Sequence, residues 1–350
     1  MNSTVKDNVC DFRSLYKAMH KSKRNVMWKD SVAGYVKNGL ANCLKLHDQL
    51  MGDSYDIDKY TIFNVYEPKE RKIVSTRIKD RVFQRSLCDN YLTKQVTRSF
   101  IYDNAACQDN KGTKFARDRL KCHLQRFYRK HGLNGYVLKC DLTNFFGSTR
   151  HDIAKKAIIK RVADKWAVSE VERIIDSYND GDEPDVGMGL GSQVTQLIQL
   201  AVLDDIDHFI KERLHIKNYE RYNDDFIIIH EDKQYIIECL ELIRLRLEQS
   251  HLRLSIKKTQ IFPVKQAIRF LGFSFRLTGT GKVVMKLLPN KITKERRKLR
   301  KLVKRSLNGV MTREHVDSCF QSWKAHADQG DSFKLINNMR RYYQSLWEVC

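Results

Sequence analysis

The pentapeptide Tyr222-Asn223-Asp224-Asp225-Phe226 runs straight into Ile227-Ile228-Ile229, setting two adjacent carboxylates at the tip of an apolar strand. Like charges held together at such an edge are costly unless a cation neutralises them, so the pattern predicts a divalent-metal site. Hard oxygen ligands suit Mg²⁺ or Mn²⁺. A third carboxylate, Asp141, follows the apolar segment Gly135-Tyr136-Val137-Leu138-Lys139-Cys140 and precedes Leu142-Thr143-Asn144-Phe145-Phe146. Together the three could cage two Mg²⁺ ions ~4 Å apart, one lowering the pKa of an attacking hydroxyl and one stabilising a leaving pyrophosphate. That is the chemistry of nucleotidyl transfer. Asp-Asp pairs are common in solvated turns and a lone Asp often caps a helix, so the inference rests on the constellation and not on any one member.

The rest of the composition points the same way. The 350 residues carry 64 Lys+Arg against 42 Asp+Glu, a formal charge of +22, which favours polyanions and makes binding to them salt-dependent. No stretch approaches the ~18 apolar residues of a membrane span, and Met1 to Asp7 lacks the apolar core of a signal peptide, so a cytoplasmic protein without a membrane partner is expected. Nine scattered cysteines with no Cys-x-x-Cys pair read as reduced thiols, and no zinc-site spacing occurs.

The elements that must position the aspartates can be read from periodicity. Four prolines and no Gly/Ser-rich linker in 350 residues suggest one continuous molecule. Helices fill the first sixty residues, including Leu40 to Met51. A hairpin follows, Tyr60 to Tyr66 and Lys72 to Val74, with a basic tip around Pro68. Residues 80 to 131 read as helical, then come the strand delivering Asp141, helices to Tyr178, a Gly- and Asp-rich loop to Gly191, and helix from Thr195 to Leu214. The strands flanking Asp224-Asp225, a helix from Tyr235 to Leu247, strands near Ile256 and over Phe270 to Phe275, and a helical tail from Lys291 complete an α+β pattern. In that tail Lys291, Lys294, Arg296, Arg297, Lys298, Arg300, Lys301, Lys304 and Arg305 face Glu295 alone, a density that opposes helix formation by self-repulsion unless a polyanion binds.

In this order the motifs resemble a reverse transcriptase. Asp141 with Phe146 five residues on is similar to the family's first palm motif, Tyr222-Asn223-Asp224-Asp225 to its Tyr-x-Asp-Asp box, and Phe270-Leu271-Gly272-Phe273 to its primer grip. The resemblance implies a right-hand polymerase with a helical extension over 1–59, fingers over 60–134, a palm over 135–284 with a fingers insertion near 150–190, and a basic helical thumb over 285–350. It implies that Asp141, Asp224, Asp225 and the Leu142 carbonyl hold two Mg²⁺ ions, with Mn²⁺ as substitute. Phe146 would exclude a 2′-hydroxyl, and Lys69 and Arg71 would meet the triphosphate. Leu190, Gly191, Gln196 and Tyr222 would complete the dNTP pocket. Lys258 would protonate the pyrophosphate, with Lys257 a competitor. Structured template RNA and the cDNA/RNA duplex are the implied partners.

Leu190-Gly191 and Thr195-Gln196 further resemble the enzymes of diversity-generating retroelements, as do Ile78 to Gln84, Tyr102 to Cys107, Lys111-Gly112-Thr113 and Ser322 to His326. That likeness implies a bacterial or phage source, a small oligomeric accessory protein and cDNA mutated at adenine, with Leu190 and Arg71 shaping the tolerance. Antiphage defence enzymes share much of this palm, and retron enzymes are a weaker match, since Asn104-Ala105-Ala106-Cys107 lacks their His. A non-catalytic RNA-binding protein on a decayed palm is the reading from another class; it would have lost the carboxylates.

Overall fold

The structure, a computed structural model, describes residues 4–66, 70–178, 184–189 and 191–348, with Arg71 described in its backbone only. Helices α1 (Val5–Cys10), α2 (Phe12–Ser22), α3 (Asp30–Lys37) and α4 (Gly39–Met51) open the chain. Thr4 and Asp11 each accept a first-turn backbone N–H, which fixes where α1 and α2 begin. The hairpin of β1 (Thr61–Val65) and β2 (Arg71–Ser75) comes next and pairs from Thr61–Ser75 to Val65–Arg71.

Helix α5 (Ile78–Leu87) continues through a π-turn at Cys88–Leu92 into α6 (Thr93–Thr97), and α7 runs over Thr113–His131. The helical pattern expected across 80–131 is therefore broken between α6 and α7. Tertiary pairing overrides propensity there: the Ala105 N–H donates to the Arg221 carbonyl and the Arg221 N–H to the Asp103 carbonyl, at 2.9 and 3.0 Å. After β3 (Tyr136–Cys140) come α8 (Phe145–Ser148), α9 (His151–Ile159), α10 (Lys165–Asp176), α11 (Gln193–Val202) and α12 (Asp204–His208). Then follow β4 (Asn218–Tyr222), β5 (Asp225–His230), α13 (Lys233–Glu248), β6 (Gln260–Pro263), β7 (Ile268–Phe270), β8 (Phe273–Leu277) and β9 (Val283–Leu287). The tail is α14 (Pro289–Leu307), α15 (Arg313–Ala327) and α16 (Phe333–Glu348). No strand forms at Ile256, which is 94% exposed in a turn closed by the Lys258 N–H on the Ser255 carbonyl.

The central sheet has the order β4-β5-β3-β6, all antiparallel, and β7-β8-β9 form a second sheet apart from the β1-β2 hairpin. Because side chains alternate across a strand, β3 and β5 serve two cores at once. Leu138, Cys140, Phe226 and Ile228 face a core built with α2, α5 and α9 to α13, while Val137, Ile227 and Ile229 face one shared with α7, β7 to β9 and the three tail helices. This explains an unbroken Ile227-Ile228-Ile229 run, each residue worth about 1.5–3 kcal/mol on burial. Among the described residues no helix is long and apolar enough to cross a membrane, and the described cysteines are all free thiols.

Candidate active site

The register Tyr222–Asp225 leaves Asn223 and Asp224 as a two-residue turn between β4 and β5. Asn223 sits at φ 54°, a left-handed conformation that Asn tolerates better than most residues. Beneath the turn Arg221 is fully buried and ion-paired with buried Asp207, its Nε donating to Asp207 Oδ1 at 2.7 Å. A further guanidinium N–H donates to the Asn223 carbonyl at 2.9 Å, and the Tyr219 hydroxyl donates to Asp207. The turn that carries the carboxylates is thus anchored from inside the fold.

Asp141 lies one step past the Cys140–Phe226 pair of β3 and β5, which brings it to the same sheet edge as Asp225. Lys139, two residues back on the same face of β3, places Nζ 3.2 Å from Asp225 Oδ2 and donates to the Arg269 carbonyl at 2.8 Å. Lys258 donates to Asp141 Oδ1. Burial pushes the Asp225 carboxyl up to about 6; Lys139 opposes the rise, and Asp141 and Asp224 add to it. Asp225 Oδ1 is buried with no hydrogen-bond partner among the described residues. An orphaned carboxylate oxygen, like-charged neighbours and an all-oxygen donor set fit a hard divalent cation. Among the described residues Asp141, Asp224 and Asp225 do not bring their ligand atoms within 4.8 Å of one another; the group of three that does is His151, Asp176 and Asp185.

A cleft of about 1520 Å³ opens beside this edge. It brings together Asp224, Phe146, Gln196, Lys258 and Leu142, residues far apart in sequence. Phe146 is half-buried, its ring edge-on to Phe145 with centroids 5.8 Å apart, and its carbonyl accepts from the Met188 N–H at 2.7 Å. Two further pairings, the Gly187 N–H on the Thr149 carbonyl and the His151 N–H on the Asp185 carbonyl, both 2.9 Å, lay residues 185–188 along the wall. Gly189 is required there, since a Cβ would fall 2.0 Å from the Tyr178 ring, which stacks on Tyr60. Gly191 takes φ 117°, and Gln196 accepts from Cys107 Sγ at 3.4 Å. Tyr222 is half-buried against the core shared with α7. Lys69 and Leu190 lie outside the described residues, as does the Arg71 side chain.

Phe270 and Phe273 close the β7–β8 hairpin as a buried pair, with Leu271 at φ 45° and Gly272 at φ 85° forming its turn. The Phe270-Leu271-Gly272 segment is therefore a tight turn between two strands, not a single strand. All nine basic residues from Lys291 to Arg305 are exposed on α14, while Leu299 and Val303 are buried against the neighbouring tail helices. The helix forms despite its charge because that apolar stripe anchors it. Arg296 also packs its guanidinium 5.3 Å from the Tyr342 ring centre. Trp323 stacks on Phe320 and Trp347 meets Tyr343 edge-on, both as packing residues.

Sequence reasoning did not find Lys139, Arg221, Lys72 or Arg150. Lys72 and Arg150 line the cleft. Lys139 had a legible signal, a charge at alternate spacing from Asp141 in an apolar strand. Arg221 had none, because its partner Asp207 belongs to another element.

Residues 66–275, more than half of the chain, match the family model described as reverse transcriptase (RNA-dependent DNA polymerase). No curated protein matches the sequence. Among solved structures, apo telomerase from Candida tropicalis is similar at 13% identity, covering 63% of this chain and 47% of its own, with a TM-score of 0.49. A C-terminally truncated form of it gives 12%, 70%, 60% and 0.48. Telomerase from Candida albicans in complex with a fragment of telomeric RNA gives 10%, 88%, 65% and 0.49. The chain thus spans from about half to just under two-thirds of these structures' length.

Proposed function

Since the chain belongs to the reverse transcriptase (RNA-dependent DNA polymerase) family, we propose that Asp141, Asp224 and Asp225 are its catalytic carboxylates and that it extends a primer with dNTPs on an RNA template. The observation that carries this reading is Asp225 Oδ1, buried without a hydrogen-bond partner among the described residues, at the sheet edge that Asp141 shares. With the Leu142 carbonyl they would hold two Mg²⁺ ions, which supply Lewis-acid activation of the primer hydroxyl and charge neutralisation at the pyrophosphate. The chain's own residues do the rest. Arg221 fixes the turn, Phe146 walls the cleft where a 2′-hydroxyl would sit, and Lys258, which is bonded to Asp141, would donate a proton to the leaving group. Lys69, Arg71, Leu190, Gly191, Gln196 and Tyr222 are assigned to the incoming nucleotide, and Phe270, Leu271 and Gly272 to the primer end.

The same proposal divides the chain into fingers over 60–134, palm over 135–284 and a thumb; since the boundary at 285 would cut β9 (Val283–Leu287), it is moved to Leu288. Exposed basic residues on α14 give it a surface for the phosphates of an RNA/DNA duplex. Primer extension on an RNA template with Mg²⁺ tests the activity, with Asp224→Asn as control: template binding should stay within a few-fold while incorporation is lost. Substantial incorporation by that variant would refute the carboxylate assignment.

Within the family, Leu190-Gly191 with Thr195-Gln196 favours the diversity-generating retroelement enzymes, hence a bacterial or phage cytoplasmic setting, an oligomeric accessory protein and errors opposite template adenine. Sequencing cDNA made on a defined RNA decides it. Uniformly low error at all four bases would favour the antiphage defence reading.

A further inference from the structure

His151, Asp176 and Asp185 stand at the start of α9, the end of α10 and the loop along the cleft wall, and their ligand atoms all lie within 4.8 Å of one another. The His151 side chain is only 4% exposed. Its Nε2 is 3.0 Å from the Gly187 carbonyl oxygen, an acceptor, so Nε2 carries the hydrogen and Nδ1 of the neutral ring holds a lone pair. That Nδ1 is buried without a hydrogen-bond partner among the described residues. It points between two carboxylates, 3.7 Å from Asp176 Oδ1 and 3.9 Å from Asp185 Oδ1. These separations are too long for hydrogen bonds and near the roughly 3.4 Å that divides two ligands of one tetrahedral ion at ~2.1 Å.

A lone pair facing two anions is unfavourable unless something positive sits between them. Lys155 Nζ, 2.6 Å from Asp176 Oδ1, offsets one charge but does not reach the imidazole nitrogen, for which the described residues offer no partner. We propose that His151 Nδ1, Asp176 and Asp185 bind a borderline-soft divalent cation, Zn²⁺ foremost, with water in the fourth position. The imidazole nitrogen selects against Mg²⁺ and Ca²⁺, which take oxygen ligands, and the Gly187 carbonyl fixes the ring in the ligating tautomer. The ion would tie two helix ends to the segment 185–188, whose Met188 N–H is bonded to the Phe146 carbonyl. It is thus a structural pin for the cleft wall, separate from the polymerase carboxylates and independent of the reading given to them.

The test uses the full chain, stripped with chelator and then dialysed against Zn²⁺ or Co²⁺ in excess Mg²⁺, which occupies the all-oxygen sites. Asp185→Asn is the main variant, since that side chain is 86% exposed and Asn accepts the φ of 61° found there. His151→Gln is the second; if it does not fold, Asp185→Asn decides alone. Wild type should retain about one ion per chain more than Asp185→Asn. The cobalt form should show weak visible bands without thiolate charge transfer, and metal should slow proteolytic cleavage of the loop. Equal retention in wild type and Asp185→Asn, thiolate bands, or no retained metal in wild type would each overturn the proposal.

Discussion

Arg221→Met removes the guanidinium that joins buried Asp207 to the Asn223 carbonyl. Breaking a buried ion pair on one side costs about 3–5 kcal/mol, because among the described residues Asp207 is left charged with only the Tyr219 hydroxyl. At ~2.1 cal/mol/K per residue for a chain of this length unfolding as a unit, the expected fall in Tm is roughly 4–7 °C. Turnover should fall for a separate reason. The Asn223 carbonyl loses its anchoring donor from Arg221, Asp224 is freed to move, and a displacement of ~1 Å costs on the order of a hundredfold. Arg221→Met/Asp207→Leu separates the two effects, since replacing both charges with apolar groups can recover stability. Thermal melts should show the double variant within about 2 °C of wild type. Primer extension on an RNA template, run well below both melting temperatures, should still be reduced roughly ten- to a hundredfold. Recovery of turnover together with Tm would refute the claim that the Arg221 bond to the turn carbonyl positions the proposed catalytic aspartates, as would wild-type turnover in Arg221→Met.

Phe146→Val in a folded enzyme should raise the efficiency of rNTP relative to dNTP insertion, and unchanged discrimination would return Phe146 to ordinary packing. Lys258→Met should depress turnover, whereas Lys257→Met should leave it near wild type; the reverse ranking would reassign the general acid. Asp103 is clamped by Arg119, Lys211 and His123 at 2.7, 2.8 and 3.2 Å. Burial pushes its carboxyl up, but the bonds to those three partners outweigh it and hold the group well below its usual range. A depressed folded pKa stabilises above the unfolded value and is lost as pH falls through the folded one. Asp103→Asn should therefore destabilise at pH 7 by about 3 kcal/mol, with the gap to wild type closing below about pH 4. A pH-independent gap in denaturant melts would contradict that account.

Much of this chain is legible in its residue order alone. Asp141, Asp224 and Asp225 stand out because each adjoins an apolar run, and it is their constellation, not any one of them, that points to a cation site. The basic α14 and the β1–β2 hairpin follow from charge and period in the same way. The loop between α6 and α7 was not legible, because residues with helical propensity are pulled into pairing with β4, more than a hundred positions away. Nor was the turn at Ile256, which leaves an apolar residue exposed two positions before Lys258, itself bonded to Asp141. The amino-acid order by itself determined which side chains could do chemistry, since that depends on residue type and local period. Only the tertiary structure decided what holds them. Arg221 on Asp207, Lys139 on Asp225 and His151 between Asp176 and Asp185 are each meetings of separate elements, and no local pattern encodes a contact whose two halves are set by different parts of the fold.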